Sequence, residues 1–148
     1  MAGFQTVTLW SLRIVMAGLF LYAGAIKVMS PGAFLADIES YRILPYQPSL
    51  IVALYLPFLE IALAIALLIP RWSRPSALIL SAMLFVFLVA IISAWMRGLD
   101  ISCGCFGKQE VNTNYPWLVI RDLLMLGASV WISIRSGLKD TPNVVLKE

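Results

Sequence analysis

Two cysteines separated by one glycine, Cys103-Gly104-Cys105, are the side chains best suited to covalent chemistry, and the chain has no others of their kind. Glycine bends more freely than any other residue, so the two Cα atoms can come within the roughly 4.4–6.8 Å that a disulfide requires. A bridge across a single residue closes a minimal ring that adds little stability and is strained and readily exchanged. The pair therefore reads as a redox-active dithiol and not as a structural crosslink. A nucleophilic thiol must become a thiolate, which a neighbouring cation or helix N-terminus favours. Arg97, Lys108, Arg121 and the start of a helix near Pro116 are the local candidates.

Other readings of the same residues stay open. Two thiolates can hold a soft ion such as Cu(I) or Hg(II), with Met29 or Met96 close in sequence to the interfaces. A closed zinc site needs four ligands, and the chain contains no histidine, so no metal set is assigned. The same loop can also serve a non-catalytic assembly factor that docks client proteins. Gly107-Lys108 is not a phosphate loop, because Gln109 stands where Ser or Thr is needed and Ser102 where the earlier Gly is needed.

The second chemical feature is a set of charges inside apolar runs: Arg13, Lys27, Glu60, Arg121 and Asp122. Ionisable groups within a membrane are functional candidates by default, yet buried charges are normally paired whatever their role. The expectation is an ion pair of Glu60 with Arg13 or Arg121. Arg121 and Asp122 are adjacent and point in different directions on a helix, so separate neighbours are expected for them. Lys27, near the end of its run, is expected to snorkel to the surface.

The elements that hold these residues follow from composition. The chain of 148 residues is 61% hydrophobic and only 13% charged, against about 25% charged in soluble domains, and its mean hydropathy is +0.89. It reads as a membrane protein. Spanning about 30 Å of hydrocarbon takes roughly 20 apolar residues, and four such runs occur at about 7–27, 50–69, 77–96 and 117–134. The expected fold is all-α, a polytopic four-transmembrane-helix bundle forming a single membrane domain over 1–148. The first run is read as a retained helix and not a signal peptide, since no Lys or Arg precedes Arg13. Without histidine the chain lacks the usual haem ligand and the usual general base near neutral pH. The net charge is +3, but its basic residues are scattered, so no nucleic-acid partner is expected.

The connections carry further signals. Ser30-Pro31-Gly32 reads as an N-cap with proline at the first helical position. Phe34, Leu35, Ile38, Tyr41 and Leu44 recur at helical spacing, giving a short amphipathic interfacial helix over about 31–44, between helices 1 and 2. It reads equally as a lid over the bundle mouth or as a plain cover. Pro57 is expected to bend the second long helix one turn before Glu60. Arg71-Trp72-Ser73-Arg74-Pro75 reads as a tight, doubly basic turn. With Arg135 and Lys139, these charges favour a cytoplasmic side, giving N-in and C-in and setting the loop 98–116 outside, in the oxidising periplasm of a bacterium. Loops of this length are usually functional.

The sequence also resembles a known family. Arg13, Ala23-Gly24-x-x-Lys27, Phe34, Leu44-Pro45, Leu56-Pro57-x-x-Glu60, Arg97-Gly98, Cys103-Gly104-Cys105-Phe106-Gly107 and Arg121-Asp122 together resemble the MauE branch of the MauE/DoxX-like membrane proteins, over about residues 10–135. The resemblance implies thiol-disulfide handling outside the cytoplasmic (inner) membrane beside a periplasmic thioredoxin-fold partner. For the family's named member it implies maturation of the disulfide-rich small subunit of methylamine dehydrogenase. It extends to the four-helix architecture of vitamin K epoxide reductase and DsbB, which pass electrons between thiols and quinone. On that likeness, Cys103 and Cys105 are the expected catalytic pair, and Lys27, Glu60 and Arg121 the expected lining of a quinone pocket under the lid. Those enzymes use two cysteine pairs and this chain has one, so a partner must supply the second dithiol.

Overall fold

The computed structural model describes residues 2–99, 101 and 114–139. Cys103, Cys105, Lys108 and most of the loop 98–116 lie outside the described residues. Five helices follow one another: α1 (Ala2–Met29), α2 (Pro31–Ser40), α3 (Tyr46–Leu68), α4 (Pro70–Met96) and α5 (Tyr115–Lys139). Among the described residues there is no strand. Four helices are long and apolar enough to cross a bilayer, over Val7–Met29, Tyr46–Leu68, Pro70–Met96 and Tyr115–Ser136. The chain is an all-α, multi-pass membrane protein.

The expected basic turn at 71–75 is corrected by the structure, because α4 starts at Pro70 and carries Arg71 through Pro75 in its first turns. The turn is Ile69 alone, held extended at φ −87 and ψ 117. The residue before a proline is pushed out of the helical region, whereas proline itself fits the first helical position. Pro70 therefore both ends α3 and begins α4. Pro75 removes one backbone donor inside the helix. Around it, Ser73 Oγ donates to the Pro70 carbonyl at 2.8 Å and Ser76 Oγ to the Trp72 carbonyl at 2.7 Å. Pro57 leaves α3 a single helix from Tyr46 to Leu68.

The long helices form a ring in which α1 packs on α3, α3 on α4, α4 on α5 and α5 on α1, while α2 lies chiefly against α3. Met16, Ala17 and Phe20 of α1 meet Ala64 and Leu67 of α3, Leu80 and Leu84 of α4, and Ile132 of α5 in the main core. Large apolar side chains such as Val86 and Leu124 are exposed on the outside, as expected of a surface whose solvent is lipid. Lipid is as apolar as leucine, so close backbone approach and polar contacts supply the association between helices. One such contact is the 2.8 Å hydrogen bond between the hydroxyls of Ser81 on α4 and Ser129 on α5.

At the end of α4 the chain turns in a defined way. Gly98 has φ +61, its N–H donates to the Trp95 carbonyl at 3.0 Å, and the Leu99 N–H donates to the Ala94 carbonyl at 3.1 Å. This is the paired-bond helix stop that needs a left-handed residue, for which glycine has no side-chain penalty. The turn delivers Ile101, which is buried, into a second apolar cluster with Ile91 and Ala94 of α4 and Leu118 of α5.

Candidate functional site

The first functional side chains to meet are Lys27 and Glu60. Lys27 Nζ donates to both Glu60 carboxylate oxygens, at 2.6 and 2.9 Å, and both side chains are only 2% exposed. The expected partners of Glu60, Arg13 and Arg121, are replaced by Lys27, which turns inward instead of snorkelling. Two three-residue spacings explain why. Gly24 precedes Lys27 and Pro57 precedes Glu60 by three, so contact point and charge share one face of each helix. A Cβ on Gly24 would lie 2.7 Å from Ile61 Cγ1 and 3.1 Å from the Pro57 carbonyl oxygen. Only glycine lets α1 come this close to α3, and that approach sets the ammonium on the carboxylate.

α2 closes the pair from above. Phe34 is its one buried residue, and its ring lies 4.8 Å from Lys27 Nζ, with Phe87 of α4 at 5.6 Å. An ammonium over an aromatic face is attracted by the ring quadrupole. Phe34 thus both excludes water from the pair and interacts with it. The short helix runs over Pro31–Ser40 and ends sooner than the 31–44 expected, because Tyr41 caps it and Arg42 turns left-handed at φ 50.

A second charge pair faces the same space. Arg121 Nε and one terminal nitrogen donate to Asp122 Oδ1 at 3.0 and 2.9 Å. The expectation that these neighbours serve separate partners is therefore corrected for this contact. Their Cα–Cβ bonds diverge, but the long arginine stem is flexible enough to bring its planar fork back onto the adjacent carboxylate. Lys27, Glu60, Arg121 and Asp122, with Leu84 and Phe87 of α4 among the walls, line a partly open cavity of about 40 Å³. At ~10–15 Å³ per water centre it has room for about three waters. Asp122 lies seven residues into α5 from Tyr115, so the cavity sits about 10 Å along that helix, at ~1.5 Å per residue.

Arg13 belongs to the other end of the bundle. It is buried, donates to Ser136 Oγ at 2.7 Å, and lies 5.5 Å from the Trp10 ring. Among the described residues no group of three or more His, Cys, Asp and Glu is placed to hold a metal ion.

The described ends of the cysteine segment are tied together. Tyr115 donates its hydroxyl to the Leu99 carbonyl, and its ring stacks on Trp95 at 5.8 Å and 7°. Arg97 donates to the backbone carbonyls of Tyr41 and, at 3.3 Å, Arg42. This last tie was not foreseen from sequence, where Arg97 figured as a cation for the thiols. Its one sequence signal was Gly98, which marks where α4 stops; the left-handed turn at Arg42 has no counterpart in residue type, since such residues rarely adopt it.

A four-helix membrane bundle with a buried, helix-covered charge cluster and a Cys-Gly-Cys connection between its last two spans is thus defined. The sequence profile described as Methylamine utilisation protein MauE matches residues 5–135, and the chain belongs to the MauE family. Methylamine utilization protein MauE of Paracoccus denitrificans is 36% identical over 135 residues, covering 90% of this chain and 72% of that protein. The protein of the same name from Paracoccus versutus is 40% identical over 112 residues, covering 75% of this chain and 60% of that one. That of Methylophilus methylotrophus is 33% identical over 118 residues, covering 78% and 62%. The chain therefore spans between 60% and 72% of the length of these relatives. No solved structure matches it.

Proposed function

We propose that the chain is an accessory protein of methylamine utilisation that exchanges disulfides through Cys103 and Cys105 with a periplasmic thioredoxin-fold partner, supporting maturation of a disulfide-rich protein such as the methylamine dehydrogenase small subunit. The observation that carries this reading is the Cys-Gly-Cys pair itself, the chain's only cysteines, between two spanning helices of a MauE-family bundle. In the exchange, one thiolate attacks a sulfur of the partner's disulfide, a mixed disulfide forms, and the partner's other sulfur leaves as a thiol. The second cysteine then displaces the partner, which departs as a dithiol while Cys103 and Cys105 become a disulfide; the same steps in reverse oxidise a reduced partner. Electrons and protons balance between the two proteins.

The location proposed is the bacterial inner membrane, N-in and C-in, with the cysteine segment periplasmic. Arg71 and Arg74, exposed in the first turns of α4, and Arg135 near the end of α5 support it, since cytoplasmic ends collect Lys and Arg. A quinone-linked form would use the space near Lys27, Glu60 and Arg121. That space, about 40 Å³, is far below the roughly 300–1,000 Å³ of ordinary ligand pockets, so a quinone ring enters only if its walls move apart.

The test is trapping. Cys103→Ser or Cys105→Ser, expressed with the partner present, is expected to hold a mixed disulfide that runs as a reducible adduct on a non-reducing gel. Absence of any adduct together with full activity of both variants contradicts the proposal.

A further inference from the structure

α2 is bonded at both ends to features that matter elsewhere in the molecule. At its start, Phe34 is buried with its ring 4.8 Å from Lys27 Nζ, the ammonium held by Glu60. At its finish, the backbone carbonyls of Tyr41 and Arg42 accept hydrogen bonds from the Arg97 guanidinium. A charged donor makes a hydrogen bond roughly twice as strong as a neutral one, and here it bonds the carbonyl of the capping residue of α2 and that of the residue after it. Arg97 is also the capping residue of α4, one position before the left-handed Gly98 that turns the chain toward Ile101. Tyr41 packs on the cluster that buries Ile101. Ile101 precedes Cys103 by two residues.

We infer that α2 is a strap coupling the buried Lys27–Glu60 pair to the end of α4 from which the cysteine segment departs, with Arg97 as its clasp. This rests on the reading of Cys103 and Cys105 as exchanging thiols. A change at the charge pair that moves the Lys27 ammonium, such as loss of its Glu60 partner, shifts Phe34, whose ring lies 4.8 Å from it. The ten-residue helix carries that shift to Tyr41 as a rigid body. Tyr41 cannot leave without breaking the Arg97 bonds and opening the Ile91–Ile101–Leu118 cluster. The two ends of α2 are thus alternative handles on one element, which is what a coupling between sites requires.

The experiment uses the full chain in lipid vesicles and reads the rate at which Cys103 and Cys105 react with a maleimide, by gel shift, with melting temperature measured in parallel. Phe34→Leu keeps an apolar side chain and removes the aromatic face; Arg97→Met keeps the stem and removes the donors. Each is expected to change the alkylation rate by about fivefold or more, the lower end of typical coupling between sites. The double variant is expected to add less than about twofold to the larger single effect, since both act on one element. Arg97→Lys, which retains a donor, is expected to restore part of the wild-type rate. Single-variant rates within about twofold of wild type, or fully multiplicative effects, overturn the inference. A lowered melting temperature with unchanged rates also overturns it, since that outcome assigns Phe34 and Arg97 to stability alone. Coupled alkylation in a protein that traps no mixed disulfide leaves the strap standing and removes the exchange reading.

Discussion

Replacing Glu60 with leucine leaves the Lys27 ammonium in a site 2% exposed, where both of its carboxylate contacts, at 2.6 and 2.9 Å, have been removed. Breaking a buried pair in this way costs about 3–5 kcal/mol, because the remaining charge is uncompensated. The rings of Phe34 and Phe87, each contributing on the order of 0.5–2 kcal/mol, were present before the substitution and so do not offset this cost. Lys27→Met strands the carboxylate and is expected to cost a similar amount. The double variant Lys27→Met/Glu60→Leu buries no charge and fills a similar volume, so it is expected to lie within about 2 kcal/mol of wild type, giving a coupling of roughly 4 kcal/mol or more. The assay is unfolding in mixed micelles by titrated SDS, followed through the fluorescence of the five tryptophans. A Glu60→Leu protein within about 1 kcal/mol of wild type, or a double variant that loses the sum of the two singles, refutes the reasoning.

Three further outcomes follow from the same geometry. Gly24→Ala places a Cβ 2.7 Å from Ile61 Cγ1 and should lower stability by about 1–3 kcal/mol through overpacking; adding Ile61→Ala should recover part of it in the same unfolding assay. Gly98→Ala forces a side chain into φ +61 at a cost of about 1–2 kcal/mol, whereas Gly98→Asn should melt closer to wild type because asparagine tolerates that conformation. Ser129→Ala removes a 2.8 Å hydroxyl contact to Ser81 and should cost only about 0.6 kcal/mol, the average for interhelical hydrogen bonds in a membrane protein; a loss above about 2 kcal/mol would contradict that assignment.

Helix number and membrane class were legible because each spanning run is long, apolar and interrupted by few charges. The break between α3 and α4 was misplaced because Pro70 and Pro75 carry the same chemical signal, and only their positions in the helix separate a favourable first-turn proline from a tolerated interior one. Glu60 was matched to the wrong cation for a topological reason. Gly24 of α1 lies against Pro57 and Ile61 of α3, and that contact fixes which levels of the two helices meet. Glu60, about 21 Å from Tyr46 at ~1.5 Å per residue, then falls level with the last turn of α1, where Lys27 lies. Nothing in a local pattern encodes that offset. The bond of Arg121 to Asp122 was hidden by reasoning from Cβ directions, which constrain short side chains and not the long arginine stem.

The central claim is that Cys103 and Cys105 act as an exchanging pair. The most direct measurement incubates the reconstituted chain with an oxidised thioredoxin-fold protein and follows both by intact mass after rapid alkylation. The account predicts that Cys103 and Cys105 lose their two reactive thiols together while the partner gains two, through a transient mixed disulfide. Cysteines that stay fully alkylatable, with no change in the partner, would contradict it.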